Sequence, residues 1–284
     1  MKKILITGCL GQLGTEFKNL ENEHQDFVFY YRDKNLDITN KNQVEKFVSK
    51  NSINIILNTA AYTNVLRAEI EKEKANQINK FGVRNLVEIC EKYKIKLIHF
   101  STDYVYSSKS KKPIDENTIT NPVNYYGISK RSGELYIENS NSESIIIRTS
   151  WLYSSNGKNF VNTIVKKAKK EENISVVCDQ FGCPTYSKDL ASDTMKILKS
   201  GLKLDFDGKI YNYSNLGFTN WSDFAKHIIK FSNLKSNVNK ITSDFFKSSV
   251  KRPMFSIMNK NKNIKNFNLE IPHWKESLKN YLVK

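Results

Sequence analysis

The chain has 284 residues, enough for one large domain or two that share an interface, and an apolar fraction of 39% supports a sizeable core. The net charge of +16 comes from dispersed lysines and arginines, with only short clusters such as Lys166-Lys167 and Lys169-Lys170 and no recurring aromatic-basic platform. That pattern argues against a nucleic-acid partner and for attraction of a small anionic one.

No apolar run reaches the length of a membrane span, so no membrane partner is expected. Cys9, Cys90, Cys178 and Cys183 form no C-x-x-C pair and have no histidine at ligand spacing, which argues against zinc and disulfides. Met1-Lys2-Lys3-Ile4-Leu5-Ile6-Thr7-Gly8 begins like a signal peptide, but its apolar stretch stops after three residues and turns into glycines. It reads instead as a buried first strand, and the protein is expected to be cytoplasmic.

Short apolar runs at Lys3–Thr7, Phe27–Tyr31, Ile53–Asn58, Lys96–Ser101 and Ile145–Thr149 read as parallel strands. Amphipathic patterns at Gln12–Leu20, Val44–Ser49, Ala75–Tyr93 and Ser129–Glu138 read as the helices between them. Such alternation predicts a doubly wound α/β sheet with helices on both faces. After Trp151 the alternation weakens. Helices are predicted at Asn159–Lys170, Ser187–Leu198 and Trp221–Phe231, with strands at Ile174–Val177 and Lys209–Ser214. The polar stretch from Asn233 to Asn268 resists assignment. We expect a dinucleotide-binding domain over 1–150 and a smaller mixed α/β substrate domain over 151–284, parts of which return to the first.

Thr7-Gly8-Cys9-Leu10-Gly11-Gln12-Leu13-Gly14 follows the first strand and opens a helix. Backbone N–H groups at a helix start bind pyrophosphate, and glycines such as Gly8 and Gly11 let phosphates approach. The spacing is G-x-x-G-x-x-G rather than the commoner G-x-G-x-x-G. The second strand ends in Tyr31-Arg32-Asp33-Lys34, where an acid favours NAD and a cation favours the 2′-phosphate of NADP. Two cations against one anion point to NADPH, with NADH left open. Asp37, in Leu36-Asp37-Ile38-Thr39, can accept from the adenine amine or cap the helix that follows. The small residues Ala60 and Ala61, followed by Tyr62 and Thr63, would let a cofactor lie across the strand ends.

The strand at Lys96–Ser101 runs into Thr102-Asp103-Tyr104-Val105-Tyr106. Tyr126 and Lys130 lie one helical turn apart in Tyr126-Gly127-Ile128-Ser129-Lys130. Thr102 can reach a substrate carbonyl, Tyr126 can donate a proton to its oxygen, and Lys130 can stabilise the phenolate.

These residues are similar to those of extended short-chain dehydrogenase/reductases. More narrowly, the chain resembles the dTDP-4-dehydrorhamnose reductase family from Met1 to about Ser256. The resemblance rests on Gly11-Gln12-Leu13-Gly14, Leu36-Asp37-Ile38-Thr39, Asn58-Thr59-Ala60-Ala61-Tyr62-Thr63 and Ser101-Thr102-Asp103-Tyr104-Val105-Tyr106. It continues through Asn121-Pro122-Val123-Asn124-Tyr125-Tyr126-Gly127, Arg148-Thr149-Ser150-Trp151, Asp179-Gln180-Phe181-Gly182-Cys183-Pro184-Thr185 and Arg252-Pro253.

The resemblance implies NAD(P)H-dependent reduction of the 4-keto group of a nucleotide-diphosphate 6-deoxysugar. Gly11, Gln12 and Leu13 would hold the pyrophosphate, and Asp37 and Ile38 would sit at the adenine. Ala61, Tyr62 and Thr63 would lie along the cofactor. Thr102, Asp103 and Trp151 would meet the sugar, with Tyr126 as proton donor and Lys130 beside it. The family leaves a homodimer open. Two departures stand out: Leu66 where the family has an acid, and Asn259 where an aspartate is expected. Competing readings are a nucleotide-sugar epimerase or dehydratase, and a binding subunit like the regulatory subunit of methionine adenosyltransferase. Tyr104 opposes the dehydratase, whose relatives carry Thr-Asp-Glu, and the complete Thr102, Tyr126 and Lys130 set opposes the binding subunit.

Overall fold

The computed structural model describes residues 1–107, 112–201 and 209–283. Six parallel strands form the main sheet: β1 (Lys2–Thr7), β2 (Phe27–Arg32), β3 (Ile55–Asn58), β4 (Lys96–Thr102), β5 (Ser144–Thr149) and, from the second half of the chain, Ile210–Tyr213. Their spatial order is β2-β1-β3-β4-β5 followed by Ile210–Tyr213. The chain leaves β1 to one side for β2 and returns to the other side for β3. That reversal opens a crevice at the carboxyl ends, where open α/β sheets bind ligands.

Successive side chains of a strand point to opposite faces, and the two faces bury separate cores. Ile4, Ile6, Ile55, Leu57, Ile98, Phe100, Ile145 and Ile147 belong to one core. Leu5, Ile56, Leu97 and Ile146 belong to the other. Helix α1 (Gln12–Asn19) contributes Leu13 and Phe17 to the first core. The second core is covered by α2 (Lys41–Asn51), α3 (Val83–Tyr93) and α4 (Tyr125–Glu138), through residues such as Val44, Leu86 and Ile137.

Beyond β5, helix α5 (Phe160–Ala168), strand β6 (Asn173–Val177), helix α6 (Ser187–Lys199) and strand β7 (Ile210–Tyr213) follow in order. Leu190, Ala191 and Met195 of α6 and Tyr211 and Tyr213 of β7 pack into the first core. A third core joins α5, β6, α7 (Trp221–Phe231) and α9 (Trp274–Leu282), the last two flanking β8 (Asn237–Ile241) and α8 (Asn261–Phe267). β8 pairs in parallel with β6. This pairing and α8 organise the stretch from Asn233 to Asn268 that the sequence left unassigned.

Two predicted helices differ in detail. The stretch predicted as Ala75–Tyr93 is a short helix at Lys72–Asn76, a wider π-type turn over Gln77–Gly82, and then α3. Helix α4 begins at Tyr125 rather than Ser129, because the Asn124 side chain accepts from Gly127 N and caps it.

Candidate active site

The glycine turn leads from β1 into α1. Gly8 has φ +64°, and a Cβ there would stand 2.7 Å from the Ala60 backbone. Gly14 is equally constrained, with Cys9 and the Gly8 carbonyl 2.6 Å from its Cβ position. The turn is therefore locked against β3, with the first-turn N–H groups of α1, which a helix cannot satisfy internally, at its end. Asn156 and Asn159 brace it from the second half. Asn156 Nδ2 donates to Leu10 O and to Thr15 Oγ1, both at 2.8 Å, and Asn159 Nδ2 donates to Gln12 Oε1 at 3.0 Å. Sequence reading missed both asparagines, since only the folded chain brings them to the turn.

A cleft of about 990 Å³ runs from this turn across the strand ends. Gly8, Gly11, Gln12, Leu13, Asp37, Ile38, Ala60, Ala61 and Thr63 all line it, as do Thr102, Asp103, Tyr126, Lys130 and Trp151. Two predicted residues turn elsewhere. The Arg32 guanidinium lies 4.7 Å from the Phe47 ring centre and donates to its neighbour's carbonyl, Tyr31 O, at 2.7 Å. Asp33 and Lys34 line the cleft in its place. Asp33 accepts from Leu10 N at 3.2 Å, so its carboxylate already serves the glycine turn. Tyr62 is buried, and its phenol donates to Glu71 at 2.9 Å. Asp37 accepts from Thr39 N, while Asn40 caps α2, so capping of that helix is not the role of Asp37.

The chemistry gathers at the end of β4 and the start of α4. Thr102 accepts from Tyr104 N at 3.2 Å, and its hydroxyl donates to Asp103 Oδ1 at 3.2 Å. Asp103 is 2% exposed, and its Oδ2 has no partner among the described residues. Burial pushes its carboxyl up to about 7, against the pull of the Ser256 and Thr102 hydroxyls. Tyr126 packs edge-on against Tyr104 at 5.7 Å, and a Cβ at Gly127 would stand 2.3 Å from the Tyr104 carbonyl. Burial raises the Tyr126 phenol, and the Thr102 hydroxyl lowers it. Lys130 is 2% exposed, and its Nζ donates to Phe100 O at 2.7 Å and meets His99 Nε2 at 3.1 Å. Burial lowers Lys130 to about 8, with Glu134 acting the other way.

A larger cleft of about 1840 Å³ continues outward and shares Thr63, Lys158, Phe160, Trp221 and Arg252 with the first. Trp151 has φ +47°, an uncommon conformation for a bulky residue, and stacks on Trp221 with ring centres 3.4 Å apart. Its indole fills the space that any side chain at Gly182 would need. Asp179 and Phe181 of the same loop line the larger cleft, and Asp179 accepts from Ser243 N and Oγ. Trp221 escaped notice because its position reads equally well as a helix start. Leu66 lines the larger cleft, whereas Asn259 donates to Asp115 at 2.7 Å.

A glycine turn at the switch point of a parallel sheet, with threonine, tyrosine and lysine at the neighbouring strand end, defines a short-chain dehydrogenase/reductase of the extended type. The RmlD substrate binding domain model matches residues 1–284. The chain is 34% identical to dTDP-4-dehydrorhamnose reductase from Aggregatibacter actinomycetemcomitans, over 99% of this chain and 98% of that protein. It is also 34% identical to the spore coat polysaccharide biosynthesis protein SpsK from Bacillus subtilis, over 99% and 97%. It superposes with a TM-score of 0.92 on the crystal structure of dTDP-4-dehydrorhamnose reductase from Bacillus anthracis in complex with NADP, at 37% identity and coverage of 100% and 99%. The chain belongs to the dTDP-4-dehydrorhamnose reductase family.

Proposed function

We propose that this protein reduces the 4-keto group of a dTDP-linked 6-deoxysugar with NADPH, with dTDP-4-dehydrorhamnose as the leading substrate, to supply a surface-polysaccharide precursor. The observation that carries the reading is the convergence of Thr102, Tyr126 and Lys130 on one cleft with the glycine turn. The cradle fits a dinucleotide: Gly8 and Gly14 leave no room for a Cβ, and Gln12 and Leu13 open a helix at the cleft wall. In this reading Gly8, Gly11, Gln12 and Leu13 hold the pyrophosphate. Asp37 and Ile38 border the adenine, and Ala60, Ala61 and Thr63 leave room for the rest of the cofactor. Lys34, rather than Arg32, is the cation at the cleft able to meet a 2′-phosphate.

The reduced nicotinamide, when bound, supplies a hydride for the carbonyl carbon. Tyr126 gives its phenolic proton to the carbonyl oxygen, Thr102 holds that oxygen by a hydrogen bond, and Lys130 supplies positive charge near the phenolate that remains. Asp103 and Trp151 border the sugar. Relatives support the substrate class: a protein 31% identical is named dTDP-4-keto-6-deoxy-D-glucose reductase, from Streptomyces niveus. The partner is therefore a nucleotide-diphosphate sugar. Among the described residues no helix is long and apolar enough to cross a membrane.

The test is NADPH oxidation, followed by absorbance, with a panel of 4-keto sugars linked to dTDP, UDP, GDP and CDP. Turnover is expected with dTDP-4-dehydrorhamnose. Absence of oxidation with every member of the panel would overturn the reading. Lys34→Ala is expected to weaken NADPH more than NADH, and Arg32→Ala to affect both little.

A further inference from the structure

The register of the sheet places three polar residues in one row. Thr7 of β1 is paired with Asn58 of β3, and Asn58 with His99 of β4. Each lies two residues after a member of the second core, Leu5, Ile56 and Leu97, so all three side chains emerge on the face that α4 covers. All three are 0% exposed. Thr7 Oγ1 donates to Asn58 Oδ1 at 2.7 Å, Asn58 Nδ2 meets His99 Nδ1 at 2.9 Å, and His99 Nε2 meets Lys130 Nζ at 3.1 Å. A fully buried polar row is costly unless every member is satisfied.

A neutral imidazole has one N–H and one acceptor nitrogen. With Asn58 Nδ2 toward the ring, Nδ1 accepts, so the ring hydrogen sits on Nε2 and Lys130 must receive it as a neutral amine. An ammonium at Lys130 demands the reverse. Nε2 then accepts, Nδ1 carries the hydrogen, and the Asn58 amide turns over to present Oδ1 to the ring and its NH2 to Thr7. A doubly protonated ring suits neither arrangement, and burial and the Lys130 charge hold His99 well below its ordinary range.

We propose that His99, fixed by Asn58, is a positioning residue for Lys130, and that its ring tautomer follows the charge on Lys130. Passing from ammonium to amine releases one proton to solvent and moves the ring hydrogen from Nδ1 to Nε2. The row thereby holds Nζ at the carbonyl of Phe100 in both states, beside the start of the Thr102 segment. The ionisable groups around Lys130 are His99 on β4, Asp103 just beyond it, Tyr126 and Glu134 on its own helix, and Arg148 of β5, which pairs with Glu134. The inference rests on the reading that Lys130 serves the reductase site.

The chain has four histidines, so ¹⁵N-histidine labelling gives a simple nitrogen spectrum, and His99→Gln identifies the His99 signals. In the free wild-type protein the ring should stay neutral and change tautomer near the Lys130 midpoint of about 8. In Lys130→Met one tautomer should persist throughout. A His99 ring that titrates as an ordinary imidazole, or one whose tautomer ignores both pH and Lys130→Met, would overturn the proposal. In kinetics, His99→Leu removes an acceptor for the ammonium, so Lys130 loses its proton more easily and the alkaline limb of kcat/KM should move down by about one pH unit. His99→Gln, which keeps an acceptor oxygen, should recover part of that shift. An unmoved limb in His99→Leu would count against the proposal. The nitrogen spectrum needs no substrate. A tautomer change in a protein inactive on every 4-keto nucleotide sugar would leave the network standing and remove the reductase reading instead.

Discussion

Burial holds the Tyr126 phenol above its ordinary range, and the Thr102 hydroxyl pulls it part of the way back. The Lys130 Nζ is held one helical turn away, at Phe100 O and His99. The phenol is thus kept protonated until a carbonyl oxygen gaining negative charge needs the proton. Tyr126→Phe removes the donor while keeping the ring that packs on Tyr104. Turnover should fall by on the order of 10²–10⁴-fold, roughly 3–5 kcal/mol of barrier, while NADPH still binds. Steady-state rates with fluorescence titration of NADPH separate the two effects, and near-normal reduction would remove Tyr126 from the mechanism. Asp103 leads to a second residue-scale expectation. Its folded carboxyl titrates near 7, well above the ordinary 3.8, so between those values the folded state binds more proton than the unfolded state. Its contribution to stability is therefore fully present below the ordinary value and lost as pH rises towards 7. Asp103→Asn should flatten that slope in denaturant midpoints measured from about pH 4 to about pH 7, an effect on the order of a few kcal/mol. An unchanged slope would mean that the carboxyl is ionised in the fold. Most candidate residues were legible at this scale because they stand in motifs tied to strand ends. Arg32 and Tyr62 were not, because their motifs fix where the backbone runs, while Phe47 and Glu71 decide where the side chains go.

Helix α4 carries the site, and its placement depends on contacts at several points along its length. Asn124 caps it, Gly127 lets it pass against the Tyr104 carbonyl, and a Cβ at Gly133 would come within 2.1 Å of Asn79 O in the π-type turn. Deeper in, Arg148 Nε and Nη2 donate to the two oxygens of Glu134 at 3.0 and 2.6 Å, and Arg148 Nη1 donates to Tyr106 at 2.7 Å. Glu134 is 0% and Arg148 1% exposed. Removing one member strands a buried charge, so Glu134→Ala should cost about 3–5 kcal/mol of unfolding free energy. Urea denaturation measures it, and a loss below about 1 kcal/mol would mean that water or a neighbour replaces the carboxylate. The same elements show what a sequence carries. All six strands of the main sheet were readable, the sixth as Lys209–Ser214, because buried parallel strands are rich in apolar and aromatic residues. β8, Asn-Val-Asn-Lys-Ile, has no buried residue, so no hydrophobic signal marks it, and only its pairing with β6 makes it a strand. The start of α4 was hidden because Gly127 is a weak helix former, and Asn124 together with the Tyr104 carbonyl overrides that preference.

Across the whole molecule, the net charge of +16 acquires a direction from the larger cleft. Lys158, Lys167, Lys247, Lys251 and Arg252 line it, against Asp179 and Asp244. Asp179 accepts from Ser243 N and Oγ, and the lining carries more cations than carboxylates. The cleft continues from the catalytic residues through Trp221 and Arg252, so a ligand reaching both is longer than a single sugar ring. A diphosphate between the sugar and a base would place two negative charges among these cations. Binding energy from that remote part can then position the keto carbon at the site of reduction. A dTDP-linked 4-ketosugar should therefore far exceed the free 4-ketosugar in kcat/KM at matched concentrations. Salt should narrow the gap, since at about 0.1 M the screening length is about 10 Å and charges that attract from outside the cleft are damped. Measuring both substrates at two ionic strengths checks the argument. Equal kcat/KM for the linked and free sugars would show that the outer cleft contributes nothing to catalysis. A large advantage that does not respond to salt would show that the base and its packing, rather than the diphosphate, provide the grip.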